Sequence, residues 1–140
     1  MDTAVKVAEL IASLGTAAGL VAAIWVYKRQ ANAQVFLEYT RRYDEVMRQL
    51  PSHARIARTK SASELPEQTE ELTYRVLDYL NLCSEEFYLW KTGYLSDRIW
   101  SIWEAELRRT LATPLLKREW QSLRNEFISY PEFQSYVEAA

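Results

Sequence analysis

A chain of 140 residues with a formal net charge of −2 is long enough for one modest core and carries no charge excess that would by itself call for a polyanionic partner. A single cysteine, Cys83, excludes an internal disulfide framework, and a single histidine, His53, with no second His or Cys near it, excludes a zinc set. Three glycines leave no phosphate-cradling loop, so no cofactor and no metal is expected.

Residues 10–27, LIASLGTAAGLVAAIWVY, carry no charge. At about 1.5 Å per residue a helix of this length spans roughly 27 Å, close to the roughly 30 Å hydrocarbon core of a bilayer. The pattern predicts one transmembrane helix. Trp25, Tyr27, Lys28 and Arg29 at its end suit the membrane interface. Only Asp2, Lys6 and Glu9 are charged before it, whereas residues 28–60 hold eight basic and three acidic residues. That asymmetry puts the amino terminus outside and the carboxyl-terminal body in the cytoplasm, at a bacterial inner membrane. From residue 61 onward there are eight basic and fourteen acidic residues. A basic juxtamembrane segment before an acidic body suits an anionic leaflet, with Arg41, Arg42, Arg55 and Arg58 as possible lipid or anion contacts. Nucleic acid is not expected, since topology already explains these charges.

Two other readings compete for the same segment. A secretory signal would want a basic amino end, but Asp2 is there, and Lys28, Arg29 and Gln30 intervene before the Ala31-Asn32-Ala33 triplet. A buried helix of a soluble domain is the other, because eighteen uncharged residues lie at the lower edge for a span. Gly15 and Gly19 form a GxxxG, extended by Ala12, Thr16 and Ala23. Such a surface lets two backbones approach closely, which predicts self-association through the span.

Residues 31–50 contain no Gly or Pro, and Val35, Phe36, Tyr39, Tyr43, Val46, Met47 and Leu50 recur at helical steps. The anchor, residues 1–30, should therefore run on into a cytoplasmic helical domain, residues 31–140, as one helix of roughly 70 Å ended by Pro51. Arg41, Arg42, Glu38 and Glu45 take its other face. Residues 52–69 read as connection, with a helical turn or two near Ala54. A second helix spans about 67–92 on Leu72, Val76, Tyr79, Leu80, Cys83, Phe87 and Trp90, and Gly93 ends it. Ser96 caps a third helix carrying Ile99, Trp100, Trp103, Leu107 and Leu111. Thr113 and Pro114 open a fourth on Leu116, Trp120, Leu123 and Phe127, and Pro131 opens a short last one. No stretch alternates with a period of two. The expected fold is all-α: an anchored long helix, then a compact bundle of three to four helices.

The densest stretch is residues 80–103. Leu80-Asn81, Glu85-Glu86, the aromatic run with Trp90, Gly93, Asp97 and the Trp100/Trp103 pair, with Trp120 and Pro131-Glu132-Phe133 further on, resemble an uncharacterised set of small bacterial single-span, membrane-anchored helical proteins. The resemblance implies a helical body and a bacterial source, and no catalytic assignment. Glu85 and Glu86 are adjacent, so on a helix they diverge by about 100° and do not form an acid–base pair by themselves. For Glu85, Glu86 and Asp97 the favoured reading is structural, with ion pairs to Arg75, Arg98 or Arg108 on another helix. Trp90, Trp100, Trp103 and Trp120 fall on apolar stripes and read as core. Among the tyrosines, some of Tyr74, Tyr88, Tyr94, Tyr130 and Tyr136 should face a partner or headgroups.

Lacking a nucleophile–base pair, the chain reads as a non-enzyme: a homo-oligomeric scaffold, adaptor or accessory subunit with a bilayer, its own copies and an unidentified protein as partners. The alternative is an oligomeric, ligand-sensing membrane effector of the toxin or defence type, whose cytoplasmic domain controls the span.

Overall fold

The computed structural model describes residues 2–57 and 64–140, and among them every regular element is helical and no strand occurs. Helix α1 is Asp2–Gln49, α2 Ser52–Ala57, α3 Glu70–Lys91, α4 Asp97–Leu111, α5 Pro114–Leu123 and α6 Pro131–Glu138. A 3-10 turn, Arg124–Phe127, joins the last two. The fold is thus all-α, a long first helix followed by a compact helical set. It divides into two units, Met1–Val35 and Phe36–Ala140.

Among its described residues the first unit is helix alone. It is long and apolar enough to cross a membrane, and none of its apolar window is buried inside the protein. Its two central hydroxyls turn inward: Ser13 Oγ donates to the Leu10 carbonyl and Thr16 Oγ1 to the Ala12 carbonyl, both at 2.9 Å. Each thereby satisfies its polar group within its own helix. The Arg29 guanidinium lies 5.6 Å from the Trp25 ring centre, a cation–π contact at the end of the apolar run.

In the second unit, local chemistry places the ends of the helices. Pro51 follows the last residues of α1. Thr69 caps α3, its side chain accepting from the Leu72 N–H, so that helix begins at Glu70 and not at the expected Glu67. Gly93, at φ 78°, ends α3: its N–H donates to the Trp90 carbonyl and that of Tyr94 to the Leu89 carbonyl, the paired bonds of a Schellman motif. Thr113 caps α5 through the Leu116 N–H, with Pro114 in the first turn, and Pro131 plays that part in α6. Ser96 occupies the cap position of α4 but makes no side-chain capping bond there. The expected fourth helix reaches Phe127 only through a change of pitch. The α-helix stops at Leu123, and the 3-10 turn keeps Phe127 1% exposed in the core.

That core is largely aromatic. Phe87 meets Trp90, Trp100, Phe133 and Tyr136 at centroid distances of 5.9, 5.9, 5.8 and 5.2 Å. Trp90 and Trp100 stack at 4.9 Å and 8°, and Trp90 Nε1 donates to Asp97 Oδ1 at 2.8 Å, closing the α3–α4 corner. Trp120 packs on Phe127 at 5.5 Å. One group there was not foreseen from the sequence. Glu119 is 0% exposed. Its Oε1 accepts from Arg118 Nε and Nη2 at 3.0 and 2.7 Å, and its Oε2 from Thr73 Oγ1 and Gln68 Nε2 at 2.8 and 3.2 Å. Arg118 Nη1 also donates to the Pro66 carbonyl at 2.7 Å, so the two side chains tie α5 to α3 and to the segment before it.

Candidate functional site

Three helix faces converge on a cavity of about 490 Å³. Helix α1 brings Tyr39 and Tyr43, one turn apart. Helix α3 brings Tyr79, Cys83 and Glu86 at steps of four and three. Helix α4 brings Trp103 and Leu107 on one row, and Ile102, Glu106 and Arg109 on the next. These are the 3.6-residue stripes visible in the sequence, facing one another.

The aromatic rings set the walls. Phe36 stacks on Trp103 at 5.8 Å and 13°, Tyr39 meets the same indole at 5.9 Å, and Tyr43 meets Tyr79 edge-on at 6.4 Å. A polar link joins α1 to α3 through Tyr39 and two residues outside the lining, Arg42 and Glu85. Arg42 Nη1 and Nη2 donate to the two Glu85 oxygens at 2.5 and 3.2 Å, and Tyr39 Oη donates to Glu85 Oε2 at 3.1 Å. The Arg42 guanidinium also lies 5.0 Å from the Tyr39 ring centre. Hydrogen bonding to Arg42 holds the Glu85 carboxyl below the usual carboxylate range. Burial pushes the Tyr39 and Tyr79 hydroxyls up, so both stay neutral.

Glu86 is the exception in this wall. It is 8% exposed, and among the described residues its carboxyl makes no hydrogen bond or ion pair. Burial pushes it up to about 8, an effect the more distant Arg42 charge opposes and Glu85 reinforces. The expected ion pair is therefore absent for Glu86. For Glu85 it exists, but with Arg42 of α1. The expected partners are engaged elsewhere: Arg75 with Gln49 and Asp78, and Arg108 with Glu104. Arg42, placed on the outer face of α1 by its sequence pattern, instead lies at the edge of the buried stripe, because its long stem reaches across to α3.

A pH dependence follows. Glu86 ionises near 4.5 in the unfolded chain and near 8 in the fold, so between those values the unfolded state has lost a proton that the folded state retains. Stability therefore falls as pH rises from about 5 to about 8 and levels off above. The other titratable groups facing it are Tyr39, Tyr43, Tyr79, Cys83, Glu106 and Arg109, with Arg42 and Glu85 beyond. Glu86→Gln should flatten that fall by about 1–2 kcal/mol, since water at the cavity mouth softens the burial penalty. Urea midpoints of the full chain in a maltoside detergent at pH 5, 6.5 and 8 measure it. Parallel pH curves for wild type and variant would refute it.

The other sequence candidates are placed as follows. Ala12, Gly15, Gly19 and Ala23 are exposed on α1, as are Trp25 at 62% and Tyr27 at 71%, with Lys28 and Arg29 beside them. Arg41 pairs along its own helix with Glu38 at 2.7 Å and Glu45 at 3.5 Å. Arg55 is exposed on α2, and Arg58 lies outside the described residues. Arg41 and Arg42 are thus both engaged by carboxylates, on different partners. Trp90, Trp100 and Trp120 lie in the aromatic core, whereas Trp103 is a cavity wall. Tyr74 and Tyr94 stand out at 64% and 72% exposure, while Tyr136 packs on Phe87.

A scan against protein-family models, a search of curated proteins and a search of solved structures each found no match to this chain.

Proposed function

We propose that the protein is a single-span, homo-oligomeric scaffold or accessory subunit of a bacterial inner membrane, with its amino terminus outside, its helical unit in the cytoplasm and no catalytic activity of its own. The carrying observation is the bare apolar surface of α1. Leu10, Ile11, Leu14, Leu20, Val21 and Trp25 are each 61–67% exposed. Water does not tolerate so continuous an apolar surface on a monomer, and lipid tails do.

The small residues support self-association. At about 100° per residue, Ala12, Gly15, Thr16, Gly19 and Ala23 fall within an arc of roughly 100°, while the large side chains between residues 10 and 25 occupy the opposite side. A Cβ built on Gly15 or Gly19 meets nothing within 4 Å. The glycines therefore relieve no crowding inside the chain, and their bare backbone suits a second helix. The same fact makes the test clean. Gly15→Ile/Gly19→Ile leaves the fold of one chain undisturbed and should reduce the detergent-solubilised wild-type oligomer to the monomer mass in sedimentation equilibrium. An unchanged mass would end the proposal for this face.

A further inference from the structure

The cavity of the second unit presents an unusual balance of groups. Its walls are the rings of Tyr39, Tyr43, Tyr79 and Trp103. Of the two carboxylates in the lining, Glu106 is paired with Arg109. Glu86 is more than nine-tenths buried and has no hydrogen-bond or ion-pair partner among the described residues. Among the described residues the fully enclosed polar atoms without a partner are Arg75 Nε and Trp100 Nε1, so the Glu86 oxygens, also without one, are open to the cavity space. A cavity of about 490 Å³ lies within the range of small-molecule sites.

We propose that this cavity binds a small organic cation, an ammonium group on an apolar body, with Glu86 receiving the ammonium and the tyrosine and tryptophan rings enclosing the rest. Each feature of the wall selects that chemistry. An ammonium within reach of Glu86 makes a charge-assisted hydrogen bond, and the ring faces attract the same positive charge. Among the described residues an anion would meet Glu86 and one lining cation, Arg109, which Glu106 already holds. A neutral apolar ligand would leave the Glu86 carboxyl as unpaired as before. The site is built wholly within Phe36–Ala140, so it stands whether or not α1 crosses a membrane.

The linkage is direct. At pH 7 Glu86 is mostly protonated in the empty site, and an ammonium ion entering it favours the carboxylate. Binding of the cation therefore releases a proton, whereas binding of a neutral analogue does not.

The test is isothermal titration calorimetry on the full chain in a maltoside detergent at pH 7, with 2-phenylethylamine and its neutral counterpart 2-phenylethanol. The amine should bind at least about tenfold more tightly than the alcohol, an energy of roughly 1.4 kcal/mol or more. Repeating the titration in buffers of different ionisation heat should show release of up to about one proton per amine. Glu86→Gln, which keeps the shape of the protonated side chain, should lose both the preference and the proton. Ile102→Arg, a change at a rim residue 60% exposed, should weaken the amine and spare the alcohol by placing a like charge at the mouth. Equal affinity for amine and alcohol, or an amine affinity unchanged in a Glu86→Gln protein of wild-type helicity, would overturn the proposal. In lipid discs, amine binding should be equal in phosphatidylcholine and phosphatidylglycerol. Loss confined to phosphatidylcholine would assign the cavity to a lipid headgroup and overturn a soluble amine as its occupant.

Discussion

Aspartate at both Leu14 and Val21 is expected to remove the protein from the membrane fraction. Each position lies within about five residues of the middle of the apolar run, and each side chain is more than 60% exposed on α1, in a window of which none is buried inside the protein. An ionised carboxylate near the centre of a span costs about 2.5–3.5 kcal/mol on insertion scales, so the pair costs roughly 5–7 kcal/mol, beyond the lost apolar contribution of the two side chains they replace. Near the ends of a helix a charged side chain can extend to the headgroups, but at these depths the short aspartate stem cannot. The second unit shares no residue with the altered segment, so its helices should persist in the released protein. Membrane flotation of the double variant, with circular dichroism of the released chain, tests both halves. A variant that floats as completely as wild type would mean that lipid does not solvate this segment.

The second large effect is expected at Glu119. Its carboxylate is fully enclosed and has four hydrogen bonds from three partners, Arg118, Thr73 and Gln68. Glu119→Ala leaves the Arg118 guanidinium without its carboxylate and the Thr73 hydroxyl without its acceptor, and should destabilise the second unit by about 3–5 kcal/mol. Glu119→Gln keeps the volume and one acceptor oxygen and should cost less. Arg118→Met removes the other charge and leaves the carboxylate buried, so it should cost as much as Glu119→Ala. Urea unfolding of the three variants in detergent provides the comparison. A loss under about 1 kcal/mol for Glu119→Ala would show that the network is incidental to folding.

What could be read from the chain, and what could not, follows from the range of the interactions. Pro51, Gly93, Thr113–Pro114 and Pro131 act on their own or the next few backbone groups, and helices end or begin at all of them in the structure. The stripe Phe36, Tyr39 and Tyr43 is legible as a packing face because its period is intrinsic to a helix, and these half-buried rings do meet Trp103 and Tyr79. Glu119 gave no such warning. It sits in Lys117-Arg118-Glu119, which reads as a solvated charged run, and its burial depends on Gln68 and Thr73 about fifty residues earlier. Arg42 keeps about a third of its side chain exposed, as a charged residue should, but its bond to Glu85 was not legible, because periodicity ranks residue types and does not register how far an arginine stem can reach. Glu86 differs from Glu85 by one helical step. That single step turns one carboxylate to Arg42 at the surface and the other into the cavity. The apolar stripe of α3 already sets Glu86 at its edge, beside Tyr79 and Cys83, and Glu85 away from it; which group of another helix each one meets is decided only by the packing.

Whether lipid covers the exposed apolar residues of α1 is the question on which the proposed role turns. The decisive measurement is flotation of wild-type protein from cell membranes washed with alkaline carbonate, which strips peripheral proteins and leaves integral ones. The protein should rise with the lipid at the top of the gradient and leave it only when detergent is added. Its recovery in the carbonate supernatant as a monodisperse species would show that α1 is covered by protein, and the proposed single-span membrane protein would be wrong.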